Sequence, residues 1–561
     1  MTTDLAVAPT RPATRPVGGW RLVSTLTGHA LVAFLRTPTA SFFTLIFPVS
    51  FLVIIGSTLG ARVVDSGVRV TQYLVAPFSV FGVAEGAFCV LAVGLATMRE
   101  NGVLKRLRGT PTPTWAVLAS RILAAMVMSL LSVAILFAVG SAGYGFDLVW
   151  RKVPAALLTL AVGITCCAAL GLAVVALTRS VLATQALTNG VLIPLAFISG
   201  VFIPYASLPA GLDLVSRALP LRHFADAMAG TLDPLAAGTG FAWGDLGVLA
   251  AWAMAGCAAA LWRFDVEPRG GRRRPAPGPL MGARQAPARA DVAPVRPVAL
   301  TPPGPAHRPS LRRLVADQVG YALTGMRRER LPVFFAVMFP ALLLVLFPAV
   351  LPQQTVRGMS LADALLPGMV AYAVAVAGYV NLPEAIARAR GAGVLERLRG
   401  TPLPRSVYLA GRVAGCLLVG AAATVVLLVV GVAANGFDID LARLPAVALV
   451  VVVCGVCFGA LGLALLALMP TARTVNAITL GTLMPLTFVS DVFYVGAELP
   501  GRLQAIGDAF PLKHAVHAFT AALGLGAPAS GYAWTDLAVV AAWAVVGLAL
   551  VWWRGVGWPN R

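Results

Sequence analysis

Residues 104–113 read "LKRLRGTPTP" and residues 395–404 read "LERLRGTPLP". The two phrases lie 291 residues apart in a chain of 561, each just after an apolar stretch. The same shift brings Arg121 onto Arg412, Phe146 onto Phe437, Pro154 onto Pro445, Cys166 onto Cys457 and Pro194 onto Pro485. It also brings His223 onto His514 and Trp243 onto Trp534, while "FP" at 47–48 meets "FP" at 339–340 after a one-residue slip. A register held over so long a stretch marks an internal duplication.

Composition says what was duplicated. Hydrophobic residues make up 58% of the chain and charged residues 12%, against roughly 25% charged in a soluble domain. A span needs about 20 apolar residues as a helix. Six such runs stand in the first half, near 41–60, 73–97, 116–140, 153–177, 183–203 and 244–263. Six more stand in the second, near 332–351, 365–387, 407–432, 444–468, 474–494 and 535–553. None alternates polar with apolar, as barrel strands do. The expected fold is an all-α polytopic membrane protein of about 12 transmembrane helices, arranged as two parallel six-helix repeats. An even number of spans per repeat sets both copies the same way up, with their symmetry axis along the membrane normal.

The formal net charge is +20, with 43 Lys and Arg against 23 Asp and Glu. Most of the basic residues fall on one side of the spans, which places both termini and both repeated phrases in the cytoplasm. The chain divides into a cytoplasmic tail with an interfacial amphipathic helix (1–40), a first six-span unit (41–264) and a Pro/Arg-rich disordered linker (265–310). A second interfacial helix (311–331) and a second six-span unit (332–561) follow. The first 40 residues lack the apolar core of a secretory signal, so the first span acts as its own targeting element. The basic linker lies beside a membrane end and points to anionic lipid rather than nucleic acid. The seven cysteines sit in apolar runs and read as small hydrophobes without disulfides. Cys454 and Cys457 form C-x-x-C with no second pair or histidine nearby, so no metal site is expected.

The repeated phrase reads as a short rigid knob. Leu104 and Leu107, like Leu395 and Leu398, form an apolar edge. Lys105, Arg106 and Arg108, or Arg397 and Arg399, face water or a partner carboxylate, and Glu396 stands where Lys105 does, so the two surfaces differ in charge. Gly109 and Gly400 suit a left-handed helix stop, and Thr110-Pro111 and Thr401-Pro402 force an extended exit. A plain positively charged loop would explain the charge but not the Gly-Thr-Pro-x-Pro geometry kept in both copies.

Six spans, a leading interfacial helix, this loop after span 2 and an apolar hairpin before span 6 resemble an ABC-2 type permease, the membrane subunit of ATP-driven exporters that include the daunorubicin-resistance group. The resemblance implies that Leu104–Pro111 and Leu395–Pro402 are coupling helices that dock an ATPase. It implies a bacterial-type cell membrane and a partner carrying ATP and Mg, with no cofactor or enzymatic chemistry on this chain. The sequence agrees: a phosphate-binding loop reads G-x-x-x-x-G-K-[ST], and none of Lys105, Lys152 and Lys513 follows a glycine. One twelve-span chain is then expected to pair with two ATP-binding subunits and to move an amphipathic, drug-like or lipid-like molecule.

Polar residues within apolar runs are candidates for the path: Glu85, Asn189, Asn381, Glu384, Asn476 and Asp491. His223 and His514 stand at equivalent places in the hairpins and are candidates for an external gate. Membrane carboxylates also suit a different class, an ion-coupled secondary transporter of six plus six spans.

Overall fold

A computed structural model describes residues 19–59, 68–110, 112–202, 209–263, 310–328, 334–350, 355–356, 358–401, 403–469, 472–493, 500–525 and 530–554. The expected linker lies outside them but for Ser310, and so do Pro111 and Pro402.

Eight of the described helices are long and apolar enough to cross a membrane. In the first repeat they are span 2 (Val70–Glu100), span 3 (Thr114–Tyr144), span 4 (Val153–Leu177) and span 6 (Trp243–Arg263). In the second they are span 2 (Leu361–Gly391), span 3 (Arg405–Asn435), span 4 (Leu444–Leu468) and span 6 (Trp534–Arg554). Four shorter apolar helices take the first and fifth places: Phe42–Ser57 and Ala183–Ile198, then Ala336–Ala349 and Thr474–Val489. Eight and four make the twelve expected. Helix boundaries keep the sequence offset: Val153–Leu177 and Leu444–Leu468 both run 25 residues, each opened by a proline whose missing N–H costs nothing at a helix start. A two-stranded ribbon, Thr355–Val356 against Met359–Ser360, precedes span 2 of the second repeat.

Spans 1 and 2 are not uniform α-helices. π-Helical segments occupy Phe42–Ile46 and Glu85–Val90, and again Phe334–Met338 and Val376–Asn381. In span 1 the cause is visible. Pro48 has no N–H to offer the carbonyl of Thr44, and Ser132 Oγ of span 3 donates to it instead at 2.5 Å. In span 2 the π segment is braced by span 4: a Cβ on Gly171 would stand 2.8 Å from Phe88 O, and one on Gly462 would stand 2.8 Å from Gly378 O. Span 6 approaches span 4 just as closely, through Gly256 on Ala169 and Gly547 on Ala460. Small residues bring helices together where lipid supplies no hydrophobic drive.

The two repeats meet through exchanged contacts. Phe51 of the first span 1 lies edge-on to Phe488 of the second span 5 at 4.2 Å. Phe197 of the first span 5 meets Phe347 of the second span 1 at 5.2 Å. Span 1 of each copy thus packs on span 5 of the other, and one hydrophobic core runs through both.

The helices expected at the interface are Gly19–Leu35 and Leu311–Arg328. The first lies along span 3, with Val23 and Ala30 buried and Trp20 77% exposed. Its apolar face is thus covered in part by protein.

Candidate coupling and translocation site

The repeated phrase folds as two short helices, Val103–Arg108 and Val394–Arg399. Each is anchored by one leucine. Leu104 is buried among Leu95 of span 2, Val117 of span 3 and Val175 of span 4; Leu395 is buried among Tyr408, Leu463 and Leu466. Lys105, Arg106, Glu396 and Arg397 are exposed. Leu107 and Leu398 pack at the edges of the same clusters. Arg108 and Arg399 close the two helices.

The left-handed glycines are not the ones expected. Gly109 (φ −79°) and Gly400 (φ −73°) are right-handed. Gly102 (φ 68°) and Gly393 (φ 67°), which open the short helices, hold the left-handed conformation. The reason is where the chain must turn sharply: span 2 has to stop and redirect before the knob begins, and a residue without Cβ permits it. The knob's own end tightens more gently. Thr110 Oγ1 donates to Leu107 O and Thr401 Oγ1 to Leu398 O, both at 2.6 Å. Arg106 and Arg397 turn back toward span 2, donating to Asn101 O at 3.3 Å and Ala392 O at 3.1 Å. Lys105 and Glu396 therefore differ most between the two outward faces, one cationic and one anionic.

The model of the ABC-2 type transporter family matches this chain twice, over residues 21–232 and 321–523. The chain belongs to the ABC-2 type transporter family. No curated protein matches it. Membership makes it a multi-pass membrane component of an ABC transporter, a kind of chain that associates with an ABC ATP-binding subunit. Each match ends where the apolar hairpin before span 6 closes, so the tandem duplication is a tandem of ABC-2 units.

The candidate path residues of this ABC-2 chain fall on or beside spans 2 and 5. Glu85 opens the first π segment of span 2 and is half-buried, with Cys89 one turn on in the same segment and Thr188 buried on span 5. Asn189 is next along that span and half-buried. In the second repeat Val376 and Val380 replace Glu85 and Cys89, and the bridge between spans 2 and 5 is Tyr379 OH to Thr482 Oγ1 at 2.8 Å. Asn381 closes the second π segment, buried. Glu384, one turn on, lies 3.8 Å from Arg388 of its own helix. Asn476 is half-buried on the second span 5, its side-chain oxygen without a hydrogen bond among the described residues. Asp491 has a structural part: with φ 58° it makes the left-handed turn that Gly200 (φ 72°) makes in the first repeat, a conformation asparagine and aspartate tolerate best after glycine.

At the end opposite the knobs the hairpins before span 6 are helical, Ala210–Ala218 and Pro220–Leu232, then Gly501–Ala509 and Pro511–Ala522. His223 and His514 bind the first helix of each hairpin to span 6. Nδ1 faces Asp245 and Asp536, both at 2.7 Å, and Nε2 faces Arg217 O at 2.8 Å and Asp508 O at 2.9 Å. Trp252 and Trp543 donate to the next carbonyl, Ala218 O and Ala509 O. Lys152 and Arg443, also equivalent, donate to the carbonyls that close the second helix, Gly230 O and Ala521 O.

Two features escape the candidate residues. One is an aromatic wall at the seam, where Phe81 and Phe202 (5.0 Å) and Phe197 and Phe202 (4.7 Å) recur as Tyr372 and Phe493 (5.6 Å) and Phe488 and Phe493 (5.3 Å). The repeat offset carries this signal, since Phe202 and Phe493 are 291 apart, yet nothing along one copy says they face a partner. The other is Arg99, whose guanidinium ends span 2 buried rather than in water.

Proposed function

We propose that the chain is the complete membrane-spanning permease of an ATP-driven exporter, with one ATP-binding subunit docked on each knob at 104–111 and 395–402. The knobs face the cytoplasm of a bacterial-type cell, an orientation supported by the excess of basic residues on that side of the spans. The cargo is amphipathic, drug-like or lipid-like, because the spans offer small apolar surfaces with isolated polar groups. One observation carries this reading: the two knobs are near-identical in geometry and are each seated by a leucine on the ends of their own spans, so a push on either reaches the membrane helices. Nucleotide would act by stabilising one arrangement of the two repeats over another.

The test is reconstitution. Purified chain in liposomes should hydrolyse no ATP until an ABC ATP-binding subunit is added, and transport should then be vanadate-sensitive. Arg106→Glu together with Arg397→Glu should weaken capture of the subunit without disturbing the fold, since both side chains are exposed. The half-buried carboxyl of Glu85 within span 2 favours one competing reading, ion-coupled transport. Transport that ignores vanadate, collapses with the proton gradient and is lost in Glu85→Gln would establish that reading instead.

A further inference from the structure

The last turn of span 2 in the first repeat grips more than its own knob. Arg99 Nη1 donates to Val175 O and Nη2 to Thr178 O, both at 2.7 Å. The next residue, Glu100, accepts from Val181 N through Oε2 at 3.0 Å. Val175 and Thr178 close span 4; Val181 opens the helix Val181–Ile198 that carries span 5. A helix end exposes carbonyls with partial negative charge, and a helix start exposes N–H groups with partial positive charge. A cation therefore holds the end of one span while its neighbouring anion holds the start of the next. Thr178 Oγ1 and Thr184 Oγ1, 2.7 Å apart, tie the connection from within.

The second repeat keeps only the arginine of this set. Arg390 Nη2 donates to Met469 O at 2.9 Å. Gly391 stands where Glu100 does, Met469 where Thr178 does and Val475 where Thr184 does. Val475 joins the apolar cluster around Leu395, but apolar contact is non-directional and lets a helix end slide.

We infer that Arg99 and Glu100 are positioning residues that make the first knob, the end of span 4 and the start of span 5 move as one body, and that the second repeat, with Gly391 in place of the carboxylate, lacks that anion's hold on the start of its span 5. The two halves of the permease then answer the ATPase stroke unequally. The consequence for transport rests on the docking proposed above; the mechanical linkage does not.

Two measurements separate them. Spin labels on Lys105→Cys with Val181→Cys report the first repeat, and labels on Glu396→Cys with Ala472→Cys report the second, in the full chain carrying Cys257→Ser. The first distance distribution should be the narrower, and Glu100→Gln should broaden it. Gly391→Glu should narrow the second, since no heavy atom lies within 4 Å of a Cβ built there. Equal widths in the two repeats, or a first-repeat width indifferent to Glu100→Gln, overturn the inference without reference to any ATPase. With the ATP-binding subunit present, Glu100→Gln should keep its capture and lower cargo moved per ATP several-fold. Loss of capture by wild-type knobs overturns the docking proposal alone; capture kept with cargo per ATP unchanged overturns the coupling role.

Discussion

His223 stands 2.7 Å from Asp245, and both nitrogens of its ring face acceptors. A backbone carbonyl can only accept, and so can a carboxylate. Both ring nitrogens can donate at once only in the protonated ring, and that imidazolium would tie the hairpin to the first turn of span 6. Burial pulls its pKa down, but the hydrogen bonds to Asp245 and Arg217 O, with the charges of Asp245 and Asp226, outweigh it and leave the pKa raised. Arg222 lies on the same helix, paired with Asp226 at 2.8 Å.

A raised folded-state pKa fixes the sign of the pH dependence. The latch contributes its full stability below the unfolded imidazole value of about 6.5. That contribution is lost as pH rises through the higher folded value. Thermal unfolding of the detergent-purified chain should show a falling melting temperature over that window. Asp245→Asn should flatten the trend, and an unchanged slope in that variant would contradict the latch.

The left-handed glycines give a sharper test of the knob. Gly102→Ala must hold a Cβ at φ 68°, at a cost of about 1–2 kcal/mol. Gly109→Ala meets no such strain, since its φ is −79°. Capture of the ATP-binding subunit should therefore fall for Gly102→Ala and Gly393→Ala together, and survive in Gly109→Ala with Gly400→Ala. The reverse order would put the turn at the wrong end of the knob.

The close helix crossings predict a third outcome. A side chain at Gly256 would press on the backbone of Ala169, with its Cβ 2.9 Å from the carbonyl carbon. Gly256→Val should destabilise the first repeat by about 1–3 kcal/mol, as overpacking does. Gly190→Ala, in open space on span 5, should leave the melting temperature level or slightly higher. Both are read by the loss of monodisperse protein on heating.

These residues also mark what the sequence discloses. Apolar runs and the 291-residue offset foretell twelve helices and their register, because a span in lipid must be long, apolar and internally hydrogen-bonded. The offset likewise pairs His223 with His514. It cannot disclose that span 2 bulges into a π-helix, since "EGAFCV" and "VAGYVN" share that shape with little in common; what they share is the room left for them on span 4, at Gly171 and Gly462. Gly102 and Gly109 are equally permissive as letters, and only the angle between span 2 and the knob decides which one turns. Arg99 looks like one more basic residue at a membrane edge until the end of span 4 is set beside it. Asp491 looks like a membrane carboxylate until its backbone is seen to make the turn that Gly200 makes.

The aromatic seam gives the last prediction. Phe51 and Phe488 meet at 4.2 Å across the two repeats, and Phe202 backs Phe51 at 5.5 Å. Each ring fills space bounded by both repeats, so removing one opens a gap at their seam. Truncating either phenylalanine should cost about 3–5 kcal/mol of stability, as large-to-small core changes do. The pair adds about 0.5–1.5 kcal/mol beyond burial, so a double-mutant cycle should return a coupling energy in that range. The functional sign follows from position. If these rings seal the resting seam, Phe51→Ala with Phe488→Ala should let a small dye cross liposomes without ATP, whereas Phe510→Ala, stacked on Trp543 in the same repeat, should not. A tight membrane in the double variant, with its coupling energy intact, would make the contact a packing device and not a seal.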